Sequence, residues 1–410
     1  MSMLKYWVWL SRLPNVGAAA ASVLLDRFGT PKDVWLSRPE DMGGPAGLPR
    51  KILDSIKDKD LSEAEMIIDK CKTLGIDLLT RQDSQYPERL MNISDPPVVL
   101  YTKGEMISFD SEVVVALIGS RDCSRYGARA ARALGSELAR SGAVVLSGFA
   151  RGIDSEAAWG SVLSGGRTVG VLGCGLDVVY PKENRALYNQ AARSGMLISE
   201  YPPGTLPLGQ NFPVRNRIMS ALSLAVAVVE ARQKSGTMIT VARALEQGKD
   251  VFAVPGDIGR PGSEGTNRLL GDGAYVLTSA EDILSQYRWR FPGKLTYDRH
   301  LRQAAGELPD EDAGGKYLHN EPDAATNEDK KEIDNNIHKD YIDLKDGHSA
   351  YTDTEIALLQ ALADGPAQVN DLAERAQIKI HEALAALTVL EMGGTVAQRP
   401  GKIFFRIDIK

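Results

Sequence analysis

At 410 residues, with 43% hydrophobic and 25% charged residues and a formal net charge of −6, the chain has the composition expected of a globular protein of two or three domains. Met1 to Leu10 mixes Lys5 with Trp7 and Trp9 and lacks a secretory h-region, and no run approaches the roughly 18 apolar residues of a membrane span, so a cytoplasmic protein without a membrane partner is expected. The three cysteines, Cys71, Cys123 and Cys174, form no C-x-x-C pair and all five histidines lie at or beyond His300, which excludes a disulfide scaffold and, in the central region, a His-based triad or metal site.

Residues 1–80 are expected as a module of small helices. Leu13-Pro14-Asn15-Val16-Gly17 precedes an alanine-rich helix that ends at Phe28-Gly29, and a weaker copy stands at Gly47-Leu48-Pro49 before Lys51–Ile56. The turn resembles the hairpin of helix-hairpin-helix modules, whose backbone N–H groups hold a nucleic-acid phosphate. The plainer alternative is a turn between packed helices with Gly17 at positive φ. A helix at Ser62–Leu74, a strand at Ile76–Leu79, a proline-containing connection from Tyr86 to Pro97 and a run at Val98–Leu100 follow.

In the expected core, 81–290, apolar runs alternate with helical patterns. The runs are Val113–Ile118, Val144–Leu146, Thr168–Leu172, Met196–Ile198, Leu224–Val229, Val251–Val254 and Ala274–Leu277. Helical stretches at Gly127–Ser141, Ser155–Leu163, Arg185–Ser194 and Thr237–Glu246 lie between most of them. Repeated strand–helix units predict an α/β parallel sheet covered on both faces, with ligands at the carboxyl ends of the strands.

Glycine and arginine collect at those ends: Gly119-Ser120-Arg121, Ser147 to Asp154 with Gly148, Arg151 and Gly152, Gly173 to Asp177, Pro255-Gly256 and Gly265-Thr266-Asn267. The most informative stretch, Asn211–Ala242, joins Phe212-Pro213-Val214-Arg215-Asn216-Arg217 to the run Leu224–Val229, Glu230 and the loop Lys234-Ser235-Gly236-Thr237. A glycine-containing loop between a strand and a helix N-terminus offers backbone N–H groups and a positive dipole end to phosphate, and arginines offer forked donors. No G-x-x-x-x-G-K-[ST] and no G-x-G-x-x-G occurs, which argues against a P-loop or a dinucleotide site.

Residues 291–350 turn acidic: between Gly306 and Gly347 stand 13 acidic and 5 basic residues, a net of −8 that leaves the remainder of the chain at +2. That composition predicts a disordered tether. In 351–410, helical patterns at Thr354–Ala363, Val369–Ala376 and His381–Leu390 precede short strands at Val396–Gln398 and Ile403–Ile407, the winged helix-turn-helix pattern. Its third helix is poor in Arg and Lys for a duplex reader.

The order and spacing of these segments, from Gly119-Ser120-Arg121 through Asn211-Phe212-Pro213-Val214-Arg215-Asn216-Arg217-Ile218-Met219-Ser220 and Ser235-Gly236-Thr237 to Val254-Pro255-Gly256 and Gly265-Thr266-Asn267, resemble the DNA-processing protein A (DprA/Smf) family. The resemblance implies a Rossmann-like core between an α-helical, sterile-alpha-motif-like N-terminal module and a C-terminal winged helix. It implies a non-catalytic protein without cofactor or metal that binds single-stranded DNA, protects incoming DNA in natural transformation, helps load the RecA recombinase and forms a homodimer through the core. Carried onto this chain, Arg121, Arg151, Arg215, Arg217 and Lys234 would contact phosphates. Gly119, Ser120, Gly148, Gly152, Ser235, Gly236 and Thr237 would allow close approach or donate N–H groups, and Asn216 and Asn267 would touch base or sugar. Phe149, Phe212 and Tyr180 are the aromatics near the expected mouth. The alternative is a nucleotide-processing enzyme of the phosphoribohydrolase type, with Glu230, Asp154 or Glu200 as acid–base group; against it, these acids would hold neighbouring arginines in place.

Overall fold

Helices α1 (Leu4–Arg12), α2 (Ala18–Phe28), α3 (Pro31–Leu36), α4 (Arg50–Ile56) and α5 (Ser62–Leu74) come first. This computed structural model describes residues 3–38 and 49–296 and, towards the C-terminus, 352–362, 365, 367–380, 382–383, 386–387, 390, 395–399 and 403–406. The Gly47-Leu48 turn, the acidic segment from 297 to 350 and parts of the last helix and wing lie outside the described residues. The N-terminal helices close over Trp7, Trp9, Leu10, Leu24 and Ile56. The indoles of buried Trp9 and half-buried Trp35 find acceptors, Trp9 Nε1 donating to Asp58 O at 2.9 Å and Trp35 Nε1 to Lys59 O at 3.0 Å. In the turn between α1 and α2, Asn15 and not Gly17 takes the left-handed conformation, with φ of 60° against −76°. Asparagine tolerates that region, so the glycine is free to stand as the N-cap of α2.

The sheet begins with β1 (Asp77–Thr80), α6 (Glu88–Met91) and β2 (Val99–Gly104). Then β3 (Val114–Ile118), α7 (Arg125–Arg140), β4 (Val144–Ser147), α8 (Ile153–Leu163), β5 (Thr168–Leu172), α9 (Arg185–Ser194) and β6 (Met196–Ser199) follow. α10 (Asn211–Leu222), β7 (Ala225–Val228), α11 (Gly236–Glu246), β8 (Asp250–Ala253), α12 (Pro261–Gly271), β9 (Tyr275–Val276) and α13 (Ala280–Tyr287) complete it. The spatial order is β1-β2-β6-β5-β4-β3-β7-β8-β9. The strands from β3 to β9 pair in parallel as the alternation predicts, while β2 runs antiparallel to both β6 and β1.

β3 shows why the sheet needs two covered faces. Val114, Ala116 and Ile118 enter one core with Ile218 and Met219 of α10 and Val241 of α11. Val115 and Leu117 enter the other with Leu134 and Leu138 of α7 and Ile153 of α8. A period of two thus sends successive side chains to opposite helical layers, each buried Val, Leu or Ile contributing about 1.5–3 kcal/mol. The chain moves from β3 outward to β6 on one side, then crosses to β7 and outward to β9 on the other. β3 and β7 therefore flank the point where the strand order reverses, the place where loops part and leave a crevice.

Lys249, between α11 and β8, donates from Nζ to Ala221 O at 3.1 Å. Burial, with Arg89 and Arg290 nearby, pushes its ammonium down to about 8. Between that value and the ordinary lysine value of 10.5 the unfolded chain holds more protons than the folded one, so this group adds stability as pH rises. Urea midpoints at pH ~7.5 and ~9.5 should therefore move up for the wild type relative to Lys249→Met.

The C-terminal unit holds α14 (Asp353–Ala361), β10 (Ala367–Gln368), α15 (Val369–Arg375), β11 (Val396–Arg399) and β12 (Ile403–Arg406). Thr352 and Glu355 form a reciprocal cap on α14. The expected two-stranded wing is joined by β10, giving an antiparallel sheet in the order β10-β12-β11. Leu358, Leu362, Leu372, Leu387 and Phe404 form its own core. Among the described residues no helix is long and apolar enough to cross a membrane.

Candidate functional site

The crevice at the strand reversal is built from the loops after β3, β4, β5 and β7. Ser120 N–H donates to Glu230 O at 2.7 Å, which joins the β3 and β7 loops, and Ile153 N–H donates to Ser120 O at 3.1 Å, which adds the start of α8. Thr237 Oγ1 donates to Gly119 O at 3.1 Å and closes the ring. Above them a cavity of about 570 Å³ is lined by Gly119, Ser120, Arg121, Arg215, Asn216, Ser235, Gly236 and Thr237, eight of the expected site residues. A second cavity of about 450 Å³ brings in Gly148 and Arg151. The two share Arg121, Asp122, Ala150, Tyr180, Phe212 and Arg215, and so continue one another as a single cleft.

Arg215 is the fixed cation of this cleft. It is 4% exposed, its Nη1 donates to Val171 O at the end of β5 and its Nε donates to Asn216 Oδ1 at 3.2 Å. Burial pushes its guanidinium down to about 10, while the nearby Asp154 carboxylate opposes the fall, so it keeps its charge at neutral pH. Asp154 in turn accepts from Gly148 N–H at 2.9 Å, and burial raises its pKa. Gly148 touches both partners: a Cβ there would overlap the Arg215 guanidinium, so the packing admits no other residue without moving the arginine.

Arg121 is an exposed cation. Its guanidinium lies over the Phe212 ring, 5.4 Å from the centroid, and Phe212 packs on Tyr180 with centroids 5.6 Å apart. Tyr180 is 43% exposed and ends this row. Phe149 is a core residue, 1% exposed at a φ of 52°, and Asn184 Nδ2 secures its carbonyl at 2.9 Å. α10 and α11 also begin at the cleft, and the Ser235 hydroxyl at the start of α11 has no partner among the described residues. Cations, helix N-termini and an exposed ring together suit a ligand with both anionic and aromatic parts.

The remaining expected residues lie behind the cleft or at its margin. Arg217 is 4% exposed and points away from the cleft: Nε donates to Asp95 Oδ2 at 2.9 Å and Nη2 to Glu200 Oε1 at 2.7 Å. Lys234 is exposed and lines neither cavity. Asn267 braces the loop after β8, accepting from Gly256 N–H at 3.1 Å and donating to Gly256 O at 2.9 Å. Gly152, with φ of 74°, starts α8 so close to the Ser120 carbonyl that a Cβ would overlap it. Arg151, at the rim, is paired with Glu183. Arg232, absent from the expected set, lines the cleft, with its guanidinium 4.0 Å from Asp122. Its place in the same basic loop as Lys234 was the available signal.

The three acids considered for catalysis are all engaged. Asp154 stands beside Arg215, and Glu200 binds Arg217, as holders of arginines. Glu230 holds none: it is 3% exposed and accepts from the Ser124 N–H at 2.8 Å and from the Ser124 hydroxyl at the start of α7, where a carboxylate meets the positive helix end.

The model of the family described as DNA recombination-mediator protein A matches residues 77–288, and that of the DprA winged helix domain matches residues 347–402. The DNA processing protein DprA of Bacillus subtilis (strain 168) is 42% identical over 212 residues, 52% of this chain and 71% of the relative. Protein Smf of Synechocystis sp. is 35% identical over 284 residues, 68% of this chain and 71% of the relative. The solved structure of DNA processing protein A from Streptococcus pneumoniae superposes with a TM-score of 0.60 at 32% identity, covering 70% of this chain and 99% of that one.

Proposed function

The chain belongs to the DNA recombination-mediator protein A (DprA/Smf) family, and on that premise we propose that it binds single-stranded DNA in the cleft at the strand reversal. The observation that carries this reading is the shape of the cleft together with its lining. Two cavities of about 570 and 450 Å³ run into one another past Arg121, Arg215 and the Phe212–Tyr180 pair. A compact ligand needs one enclosed pocket; a strand needs a track with repeated cation positions and a face for its bases. Arg121, Arg215 and the backbone N–H groups of Ser235, Gly236 and Thr237 hold phosphates, with Arg151 and Lys234 as outlying charges. Asn216 has its amide N–H groups available for a base or sugar, since its Oδ1 is taken by Arg215.

Binding is non-catalytic in this reading, because Asp154, Glu200 and Glu230 are each committed to a structural partner. Protection of incoming DNA, loading of the RecA recombinase in natural transformation and homodimerisation through the core extend the same proposal and are supported by the family resemblance.

A mobility shift with single- and double-stranded oligomers tests the reading. The wild type should retard poly-deoxythymidine and retard the duplex less. Tyr180→Ala should lose about tenfold in affinity, one stacked base being worth roughly 1–3 kcal/mol, and Tyr180→Phe should keep it. Absence of single-strand binding at low salt would refute the proposal.

A further inference from the structure

We propose that the exposed face at the start of α7, which carries Arg125, Tyr126 and Arg129, is a second nucleic-acid contact: a single strand held in the cleft leaves it across this face. The inference rests on the cleft being the strand site and extends it by residues that line neither cavity. Cleft and helix are continuous in the chain. Arg121 and Asp122 line both cavities, and α7 opens at Arg125 just beyond them.

This end of α7 is anchored. The Ser124 hydroxyl accepts from Gly127 N–H at 3.0 Å and donates to the buried Glu230 carboxylate, so the arginines that follow stand on a fixed frame. Their placement is unfavourable for the helix itself. Arg125 and Arg129 are four residues apart and therefore neighbours on one face, where like charges repel. Arg125 also stands in the first turn, at the positive dipole end, and no acidic residue there offsets it. Both arginines are exposed, and neither side chain takes an ion pair or a hydrogen bond among the described residues. Arg132, further along the helix, differs: Glu156 takes it at 2.7 Å. Two unpaired cations held where a helix favours acids gain their offsetting charge from a polyanion outside the chain.

The class of polyanion follows from the residue between them. Tyr126, 44% exposed, sets an aromatic ring on the same stretch of helix. Cations for phosphates with an interleaved ring for a base are what a single strand requires, whereas the stacked pairs of a duplex offer the ring no face. Asp122, the acid nearest along the chain, has Arg232 4.0 Å away, which offsets its charge beside the path.

The test compares the full chain with its Arg125→Gln/Arg129→Gln variant by fluorescence anisotropy over a range of salt. Site sizes of roughly 4–16 nucleotides place a poly-deoxythymidine oligomer of about 5 within the cleft and one of about 30 beyond it. The variant should bind the short oligomer as the wild type does. Its affinity for the long one should fall at least ~tenfold, with a slope of log affinity against log salt shallower by about 1.4, or about 0.7 for each lost phosphate. Its melting temperature should not fall, since glutamine is a good helix former and the repulsion is gone. Tyr126→Ala should weaken the long oligomer alone, by about fivefold, and Tyr126→Phe should not. Arg193→Gln/Arg290→Gln controls for net charge. Both of those arginines are exposed without an ion pair among the described residues, one just before β6 and the other near Lys249, which precedes β8, so they stand at the amino ends of the strands. A long-oligomer affinity and slope in the α7 variant equal to those of the wild type overturn the proposal, as does an equal loss in the control. If the wild type binds neither oligomer, the cleft reading fails and this one with it. If it binds both and the α7 variant matches it, the cleft stands and the α7 contact alone is refuted.

Discussion

Arg121→Ala is expected to weaken single-strand binding by about ten- to a hundredfold and to leave folding stability nearly unchanged. Arg121 is exposed, takes no ion pair among the described residues and rests only on the Phe212 ring. Its removal therefore leaves no buried charge behind. What is lost is a charge-assisted contact to phosphate, worth roughly 1.5–3 kcal/mol, and a cation over the ring that carries Tyr180, worth about 0.5–1 kcal/mol. At about 1.4 kcal/mol per decade the phosphate contact by itself gives one to two orders of magnitude. The salt dependence supplies an internal check. Losing one phosphate contact should make log affinity less steep against log salt by about 0.7. Fluorescence anisotropy with a poly-deoxythymidine oligomer over a range of salt measures both quantities. An affinity and a slope equal to those of the wild type would remove the cleft from consideration.

Arg217→Ala should do the opposite. It is expected to destabilise the fold by about 3 kcal/mol, the lower part of the 3–5 kcal/mol seen when one partner of a buried pair is removed. Glu200, with 19% of its side chain exposed, would lose the partner of both its oxygens, whereas Asp95, with a third of its side chain exposed, can more readily reach water. That difference places the figure at the low end. The folded fraction should retain oligomer affinity, because Arg217 does not line the cleft. Urea unfolding with an unchanged m-value, alongside anisotropy on the folded protein, separates the two effects. A variant as stable as the wild type that has lost binding would restore Arg217 to the DNA surface.

These two arginines also mark the boundary of what could be read without the fold. Local, periodic signals were legible. The apolar runs from Val113 to Val254 became parallel strands because a strand buried on both faces has to be apolar throughout. Gly119 and Gly148 fell at strand ends because the chain must turn there while staying close to its neighbours, and Gly236 fell at the start of α11. Antiparallel addition of β1 and β2 was not legible, since short apolar runs carry no sign of direction. Nor was the positive φ of Asn15 in the turn before α2, which a glycine two residues later seemed to claim.

The sequence by itself determined the class of fold, the strand ends beside which the cleft opens, and the chemistry of the candidates: arginines, helix starts and a few aromatic rings. Tertiary structure decided which candidates meet. Arg215 and Arg217 are two residues apart on one helix, a rotation of about 200°, so the period alone requires them to face nearly opposite ways. Only packing says which way: α10 turns Arg215 to the β5 carbonyl and the cleft, and Arg217 to Asp95 and Glu200. Glu230 follows the same logic. It reads as a candidate acid at the end of a strand, but long-range packing brings Ser124 and the start of α7 to it, and the carboxylate anchors the serine that caps that helix. A local pattern names the donors and acceptors; the pairing between them depends on contacts more than a hundred residues apart in sequence, which only the folded chain makes.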